Sequence, residues 1–266
     1  MNHLLRSLAP ISDTTWELLD TEARERLAPA LAARKLVDFS GPLGWEYSAT
    51  NLGRVTDLDA APAEGVAGRR REALPVVELR AEFLLSASEL GDADRGAEDV
   101  DLEPLDRAAH QIAVAENVAV FGGWHGVIAG IAQLSPHAPV PLGDAADGYP
   151  QPVAGAVERL LASGVGGPYG LALGPEQYRA VVETAEHGGY PLLEHLRKIV
   201  EGPIVWAPGV SGAVLVSQRG GDFLFRSGQD MSIGYDSHDR DGVRLYLEES
   251  FSFHVATPEA AVVLES

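Results

Sequence analysis

Apolar residues recur at helical spacing in two long segments, 12–33 and Asp101 to Phe121. Ser12, Asp13 or Thr14 can cap the first predicted helix, and Pro29 is expected to end or kink it near its last turn. Each apolar face is expected to pack in a core. The two faces consist of Trp16, Leu19, Ala23, Leu27 and Ala30, and of Leu102, Leu105, Ala109, Ile112, Ala119 and Val120.

Shorter patterns predict the other elements. Leu74–Leu85 alternates in part and predicts a strand, and the last fifty or so residues are dense in strand-forming and turn residues. Because helices and strands interleave in the middle and strands dominate the end, the pattern predicts an α+β fold. Further helices are expected near 153–161, 175–184 and 192–200, and buried strands at Ile204–Trp206 and Ala213–Val216.

Residues 41–75 have few apolar side chains to bury. The stretch from Ala60 to Gly65 is typical of a hairpin tip, and Arg69, Arg70 and Arg71 follow it. A two-stranded hairpin is marginal alone and needs a partner surface. The segment is therefore predicted to project from the body. Its arginines either pair with acidic residues of a neighbouring subunit or are solvated.

Composition narrows the function classes. The 266 residues include no cysteine, which excludes disulfides, thiolate metal sites and cysteine catalysis, and fits a cytoplasmic protein. The formal charge of −19 opposes nucleic-acid binding, which depends on lysine and arginine. The same charge serves either solubility or the attraction of cations. No apolar run reaches the ~18 residues of a membrane span, and no secretory signal is expected.

Motifs for catalysis are missing from the sequence. The eight histidines form no HExxH pattern, and the glycine-rich stretch Gly164–Gly170 is neither GxGxxG nor a P-loop. Ser211 lies in a sequence that lacks the second glycine of a GxSxG elbow. We therefore expect no enzyme activity, metal or cofactor. A small hydrolytic or binding enzyme of unrecognised type is the alternative.

Short fragments along nearly the whole chain form an ordered series. They are Arg6–Pro10, Arg34–Asp38, Gly44–Tyr47, Leu79–Phe83, Gly167–Tyr169, Arg219–Phe223, Gly228–Asp230, Ile233–Tyr235, Val243–Leu247 and Glu249–Phe253. In this order and spacing the chain resembles the family 1 encapsulins, in particular actinobacterial members. These are linocin-type bacterial shell proteins with the fold of tailed-phage major capsid proteins.

The resemblance implies an organisation for the chain. An encapsulin subunit has a peripheral domain, an axial domain and an extended loop. Here the extended loop is expected at 46–75, which matches the projecting arm. The remaining boundaries implied are 1–45 for the N-terminal helix and arm of the peripheral domain, 76–124 for the peripheral domain with the long helix, 125–220 for the axial domain and 221–266 for the peripheral C-terminal sheet.

The resemblance also implies a function and partners. Sixty or so copies are expected to close into an icosahedral shell in the cytoplasm, with pores for small substrates or ions. The shell would enclose a cargo enzyme that carries a C-terminal targeting peptide. A dye-decolourising peroxidase is the first expectation for the cargo, and a ferritin-like iron-oxidising protein is the second. Neither nucleic acid nor membrane is an expected partner.

A cargo-peptide site is implied beside the first helix and the C-terminal strands. A peptide with apolar anchors needs an apolar groove and a few charges that fix its register. Leu31, Leu36, Ile233 and Tyr235 are candidates for the groove. Arg34 and Asp38 are candidates for the charges, or else form a structural ion pair with each other.

A pore is implied at a loop of the axial domain. Symmetry would repeat each of its residues around the fivefold axis, so one carboxylate or imidazole becomes a ring. An ordinary solvated turn is the alternative for the same loop. The candidate pore residues are Thr184, Glu186, His187, Gly188, Gly189 and Tyr190.

Overall fold

The computed structural model describes residues 3–143, 145–185 and 189–265. These residues contain seven α-helices, and a π-helical turn over Val118–Gly122 continues the third of them. The helices are α1 (Asp13–Ala30), α2 (Ala87–Asp94), α3 (Glu103–Asn117), α4 (Ile131–Leu134), α5 (Pro150–Ala162), α6 (Pro175–Glu183) and α7 (Leu192–Val200).

The strands of the described residues form two five-stranded sheets and one hairpin. The fold is therefore α+β, as the sequence predicts. The strands are β1 (Asp38–Ser40), β2 (Ala49–Asp57), β3 (Arg69–Pro75), β4 (Val77–Ser86), β5 (Val140–Pro141), β6 (Tyr169–Leu173), β7 (Glu201–Trp206), β8 (Ala213–Ser217), β9 (Phe223–Ser227), β10 (Ser232–His238), β11 (Gly242–Val255) and β12 (Ala261–Glu265).

The first sheet is organised around the long strand β11. Its first half pairs antiparallel with β10 on one side and β4 on the other, and its second half pairs antiparallel with β9. Strand β1 adds to β9 in parallel. Nearly every residue of β11 is buried, because the strand lies inside the sheet and both of its faces are covered.

The second sheet has the order β5-β12-β8-β6-β7. Every residue of β6 and β8 is buried, so these strands are continuous apolar runs rather than alternating ones. Helices α5 and α7 pack against each other and against strands of this sheet. This sheet lies mostly within the segment 125–220 that was assigned to an axial domain.

The last strand departs from the predicted organisation. The segment 221–266 was expected to complete one C-terminal sheet, but β12 pairs with β8 and β5 in the second sheet. This part of the prediction is wrong. The 3₁₀ turn Pro258–Ala260 separates β11 from β12, and redirects the chain after the first sheet ends. The other domain boundaries stay predictions.

Helix α1 begins and ends close to the predicted positions. The Ser12 hydroxyl accepts a hydrogen bond from the Thr15 amide at 3.2 Å, which caps the first turn. The helix ends at Ala30, one residue after Pro29, rather than at residue 33. Its apolar face packs with α3, β4, β10 and β11 in one core, and the second sheet has a separate core.

The predicted projecting arm is a hairpin of β2 and β3. Most of its residues are exposed on both faces. Arg69 pairs with Asp57 at 3.0 Å within the hairpin, and both side chains are exposed. At its base the Thr50 hydroxyl contacts the Ser252 hydroxyl at 2.6 Å, which ties the hairpin to β11.

Candidate functional site

A groove of about 430 Å³ lies between α1 and the start of β10. Its floor is apolar because α1 presents small and aliphatic residues there at helical spacing. Charged residues stand at both ends of this floor. The groove is lined by Arg6, Asp20, Ala23, Arg24, Leu27, Ala28, Leu31, Arg34, Asp230, Met231, Ser232, Ile233 and Leu247.

Three of the six predicted peptide-site residues line this groove, namely Leu31, Arg34 and Ile233. Ile233 is buried, and Leu31 is partly buried against the same core. The structure therefore brings together residues from both regions that were predicted to form the site, the first helix with the turn after it and the C-terminal strands.

The other three predicted residues lie outside the groove lining. Leu36 is only 2% exposed and belongs to the core of the second sheet. The 3₁₀ turn Ala33–Lys35 follows α1 and carries Leu36 away from the groove. Tyr235 is buried, and its hydroxyl contacts Nδ1 of His238 at 2.5 Å. We leave these two out of the proposed site.

Asp38 is also separate from the groove. Its Oδ2 accepts a hydrogen bond from the Gly221 amide at 2.8 Å, which joins β1 to the turn before β9. Among the described residues, Arg34 pairs with three other carboxylates and not with Asp38. The hypothesis of a structural ion pair between Arg34 and Asp38 is therefore wrong.

Arg34 lies at the centre of an ion-pair network. Its Nε, Nη1 and Nη2 atoms each donate a hydrogen bond of 2.6 Å, to Glu116, Asp230 and Glu249 respectively. The planar guanidinium suits this role because its donors form a rigid fork. The network joins the turn after α1 to α3, to the segment before β10 and to β11.

Two carboxylates of this network are fully buried. The side chains of Glu116 and Glu249 are 0% exposed. Burial raises the pKa of Glu116, although the charge of Arg34 opposes the shift. Burial, reinforced by the charge of Glu116, raises the pKa of Glu249 well above its ordinary value. Burial acts to lower the pKa of Arg34, but the charges of Glu116, Glu249 and Asp230 outweigh it and raise that pKa.

The two buried carboxylates are placed to share a proton. Each has an Oε1 atom that is buried and has no hydrogen-bond partner among the described residues. The two side chains lie within hydrogen-bonding reach of each other. A proton on Glu249 would let it donate to Glu116 and satisfy both atoms. If Glu116 and Glu249 were both ionised, the two neighbouring carboxylates would repel each other strongly.

Asn117 fixes the backbone beside the network. It is fully buried, and its Oδ1 accepts hydrogen bonds from the amides of Ala32 and Ala33 at 3.0 Å each. Its Nδ2 donates to the carbonyls of Ala30 at 2.8 Å and Pro208 at 3.0 Å. All four hydrogen bonds of the amide are made. Asn117 thereby holds the end of α1 and sets the position of the turn that carries Arg34.

The sequence reasoning missed Glu116, Asn117, Asp230 and Glu249. A signal exists for two of them. Glu116 follows Ile112 at the i+4 spacing of the apolar face of α3. Glu249 falls at a position of the alternating apolar series in the sequence of β11, which consists of Val243, Leu245, Leu247, Phe251 and Phe253. A charged residue on a buried stripe indicates a buried ion pair, since an isolated buried charge is too costly.

The other end of the groove is built around Arg6. Its Nη2 pairs with Asp20 at 2.8 Å, and its guanidinium lies over the Trp16 ring at 4.0 Å from the centroid. These contacts hold Arg6 on the first turns of α1. Both terminal arginines of the groove are therefore engaged within the chain.

Three of the predicted pore residues are described. Thr184 is half-buried, while Gly189 and Tyr190 are exposed. The Nζ of Lys198 lies 4.9 Å from the centroid of the Tyr190 ring. The other three, Glu186, His187 and Gly188, lie outside the described residues. The pore assignment stays a prediction.

Within the described ranges, no set of three or more His, Asp or Glu residues is arranged to hold a metal ion. None of the helices in those ranges combines the length and the hydropathy that a membrane crossing requires.

Comparison with known sequences relates the chain to one family. The family model described as "Encapsulating protein for peroxidase" matches residues 1–252. The chain is 48% identical to a type 1 encapsulin shell protein of Rhodospirillum rubrum, with 99% of this chain and 96% of that protein covered. It is 42% identical to the type 1 encapsulin shell protein of Rhodococcus erythropolis, with 99% and 100% covered.

Comparison with solved structures gives the same fold. A virus-like particle from Pyrococcus furiosus matches with a TM-score of 0.63 at 20% identity, and 92% of this chain and 98% of that chain are covered. The capsid of Myoviridae phage XM1 matches with a TM-score of 0.54 at 10% identity, covering 88% and 90%. These matches confirm the predicted tailed-phage capsid-like fold.

Proposed function

The chain belongs to the type 1 encapsulin shell protein family, and from this premise we propose that the groove between α1 and β10 binds the tail of an enclosed cargo protein. The chain is a shell subunit that assembles with copies of itself into a capsid-like shell. It is not an enzyme, since its relatives are named shell proteins. The alternative of an unrecognised hydrolase is therefore set aside.

The observation that carries the proposal is an apolar floor between two fixed charged ends. Leu27, Leu31 and Ile233 supply the floor. Arg6 and Arg34 are held at opposite ends by ion pairs within the chain, so their positions are set before any peptide arrives. A preformed groove of this kind lowers the ordering cost of binding an extended peptide.

We propose a peroxidase as the cargo, supported by the description of the family model. A ferritin-like iron-oxidising protein is the second candidate that the resemblance implies. The groove does not discriminate between these enzymes, because it would contact only a tail. The identity of the cargo therefore rests on the tail that it carries.

Assembly from about sixty subunits is part of the proposal, as is a cytoplasmic location for the shell. The hairpin of β2 and β3 is the proposed extended loop, supported by its exposure on both faces. The segment from Thr184 to Tyr190 is the proposed pore loop. Entry of small substrates or ions through such a pore would supply the enclosed enzyme.

The test fills the groove without removing a core residue. Ala28 is exposed and lines the groove, so Ala28→Trp should obstruct it while the shell still forms. Glu25→Trp is the matched control, because Glu25 is exposed on the same helix but outside the groove lining. Shells would be purified from the organism that encodes the chain, and enclosed protein would be quantified by mass spectrometry.

We expect the control shells to hold as much cargo as the wild type, and the Ala28→Trp shells to be intact and nearly empty. Full loading of intact Ala28→Trp shells would show that the tail binds elsewhere.

A further inference from the structure

Arg24 differs from the other arginines of the groove. It is exposed on α1 and lines the groove, yet it forms no ion pair or hydrogen bond with any residue that the structure describes. Asp20, four residues earlier on the helix, is engaged by Arg6 at 2.8 Å. Arg34 is engaged by three carboxylates. Within the described part of the chain, Arg24 is therefore an unpaired cation beside an apolar floor.

Arg24 is a positive charge without a partner carboxylate among the described residues, on an acidic protein. The arginines at the two ends of the groove are paired with carboxylates, Arg6 with Asp20 and Arg34 with Glu116, Asp230 and Glu249. The chain as a whole has a formal charge of −19. Arg24 therefore favours an anionic group at this place in the groove, whereas most of the surface repels one.

We propose that Arg24 selects the docked peptide by binding an acidic side chain within it. A guanidinium binds a carboxylate through two parallel hydrogen bonds, which fix orientation as well as charge. The proposal rests on the proposed function of the groove and adds the chemistry of its ligand: an extended segment with apolar anchors and one aspartate or glutamate.

The position of Arg24 along the groove favours a side chain over the terminal carboxylate of the peptide. From Asp20 to Leu31 the groove follows α1 for about 16 Å, at ~1.5 Å per residue. Arg24 lies about 6 Å from the first end and about 10 Å from the second. An extended peptide advances ~3.3 Å per residue. The acidic residue of the peptide should therefore lie roughly three positions from the peptide residue that contacts Leu31.

The experiment uses the full chain in assembled shells. The cargo is a fluorescent protein with randomised C-terminal tails of about a dozen residues. It would be coexpressed with wild-type shell subunits or with the Arg24→Gln, Arg24→Glu or Arg179→Glu variant. The tails recovered inside the purified shells would be sequenced. Arg179 is the matched control, because it is an exposed helical arginine outside the groove. A second library would append an inert glycine-serine extension after the randomised stretch.

Wild-type and Arg179→Glu shells should enrich acidic residues at one spacing from the apolar positions by about tenfold or more, as expected for a charge-assisted hydrogen bond. Arg24→Gln should abolish that enrichment, and Arg24→Glu should replace it with lysine or arginine. The enrichment should persist in the extended library. The proposal would be overturned if the acidic enrichment persisted in Arg24→Gln shells. It would also be overturned if the glycine-serine extension abolished the enrichment, because Arg24 would then bind the terminal carboxylate rather than a side chain.

The Ala28→Trp variant distinguishes a failure of this proposal from a failure of the proposal that the groove binds the tail. If Ala28→Trp shells are empty but acidic enrichment is unchanged by Arg24→Gln, the groove binds the tail and Arg24 does not select it. If Ala28→Trp shells enclose the same tails as the wild type, the groove is not the binding site, and both proposals fail.

Discussion

Arg34 has two roles, one in the groove and one in an ion-pair network that the sequence did not predict. It lines the groove, and it also holds together elements that are distant in sequence through Glu116, Asp230 and Glu249. The structural role dominates in energy, because two of its partners are fully buried. Removing one member of a buried ion pair leaves an uncompensated charge and costs about 3–5 kcal/mol. Substitution of Arg34 therefore tests stability before it tests binding.

We expect Arg34→Ala to lower the thermal midpoint of the shells by on the order of 10 °C, measured by intrinsic tryptophan fluorescence. Arg24→Ala is the control, since it removes a groove arginine without a partner among the described residues. Its midpoint should stay within about 2 °C of the wild type. Equal midpoints for both variants would contradict the structural role of Arg34.

The raised pKa of Glu249 predicts how stability depends on pH. A carboxyl whose pKa is raised by folding stabilises the fold below its unfolded value, and that stabilisation is lost as the pH rises through the folded pKa. The ordinary pKa of a glutamate is 4.5, and the folded value lies well above it. The thermal midpoint of the wild type should therefore fall as the pH rises from 4.5 towards the raised pKa of Glu249 in the folded chain.

Glu249→Gln should reduce this fall. Glutamine keeps a neutral group that accepts from Arg34 through its oxygen and donates to Glu116 through its amide, as the protonated glutamate does. The measurement is the thermal midpoint across a pH series, with Glu265→Gln as a control at an exposed site. Parallel pH dependence in wild type and Glu249→Gln would contradict a shared proton.

At the scale of elements, the sequence predicts well what depends on local periodicity. Helix α7 has the expected bounds, and α1 and α6 differ from the expected ones by a few residues, because a single apolar face decides them. The predicted helix from Asp101 to Phe121 contains α3 and all of its π-helical continuation except the last residue, Gly122. These features required no knowledge of the tertiary structure.

Features that depend on long-range packing could not be predicted in the same way. Strand β12 looks like the end of the first sheet but pairs with β8, because the turn before it redirects the chain. Leu36 follows α1 in an apolar pattern, yet the 3₁₀ turn places it in the other core. Long-range packing therefore brings only three of the six predicted peptide-site residues to the groove. Arg24 lines the groove but was not among the predicted residues.

The hairpin gives a prediction at the same scale. Asn51 pairs with Ala73, so residues 52–72 can be replaced by an Asn-Gly turn that keeps the base of the hairpin. The shortened subunit should keep its secondary structure, because few residues of the hairpin are buried. An exposed hairpin needs a partner surface, which we expect on a neighbouring subunit. Without the hairpin that contact between subunits is lost, so the shortened chain should fail to form closed shells.

Circular dichroism and size-exclusion chromatography with light scattering check the two halves of this prediction. Shells of normal size from the shortened chain would show that the hairpin is not needed for assembly.

At the scale of the whole molecule, assembly multiplies each local feature. A shell of about sixty copies would repeat one groove per subunit and carry roughly −1,100 formal charges, screened by salt over ~10 Å. Arg24, which pairs with no carboxylate among the described residues, would be a positive charge against that background. A tail with an acidic side chain would then meet repulsion across most of the shell and attraction at the groove.

Electron cryomicroscopy of shells loaded with a tailed cargo would show where the tail binds. We expect closed shells with additional peptide density in the groove of each subunit, between α1 and β10, next to Leu31 and Ile233. Closed shells that hold cargo while this groove is empty, with tail density at another surface, would contradict this expectation.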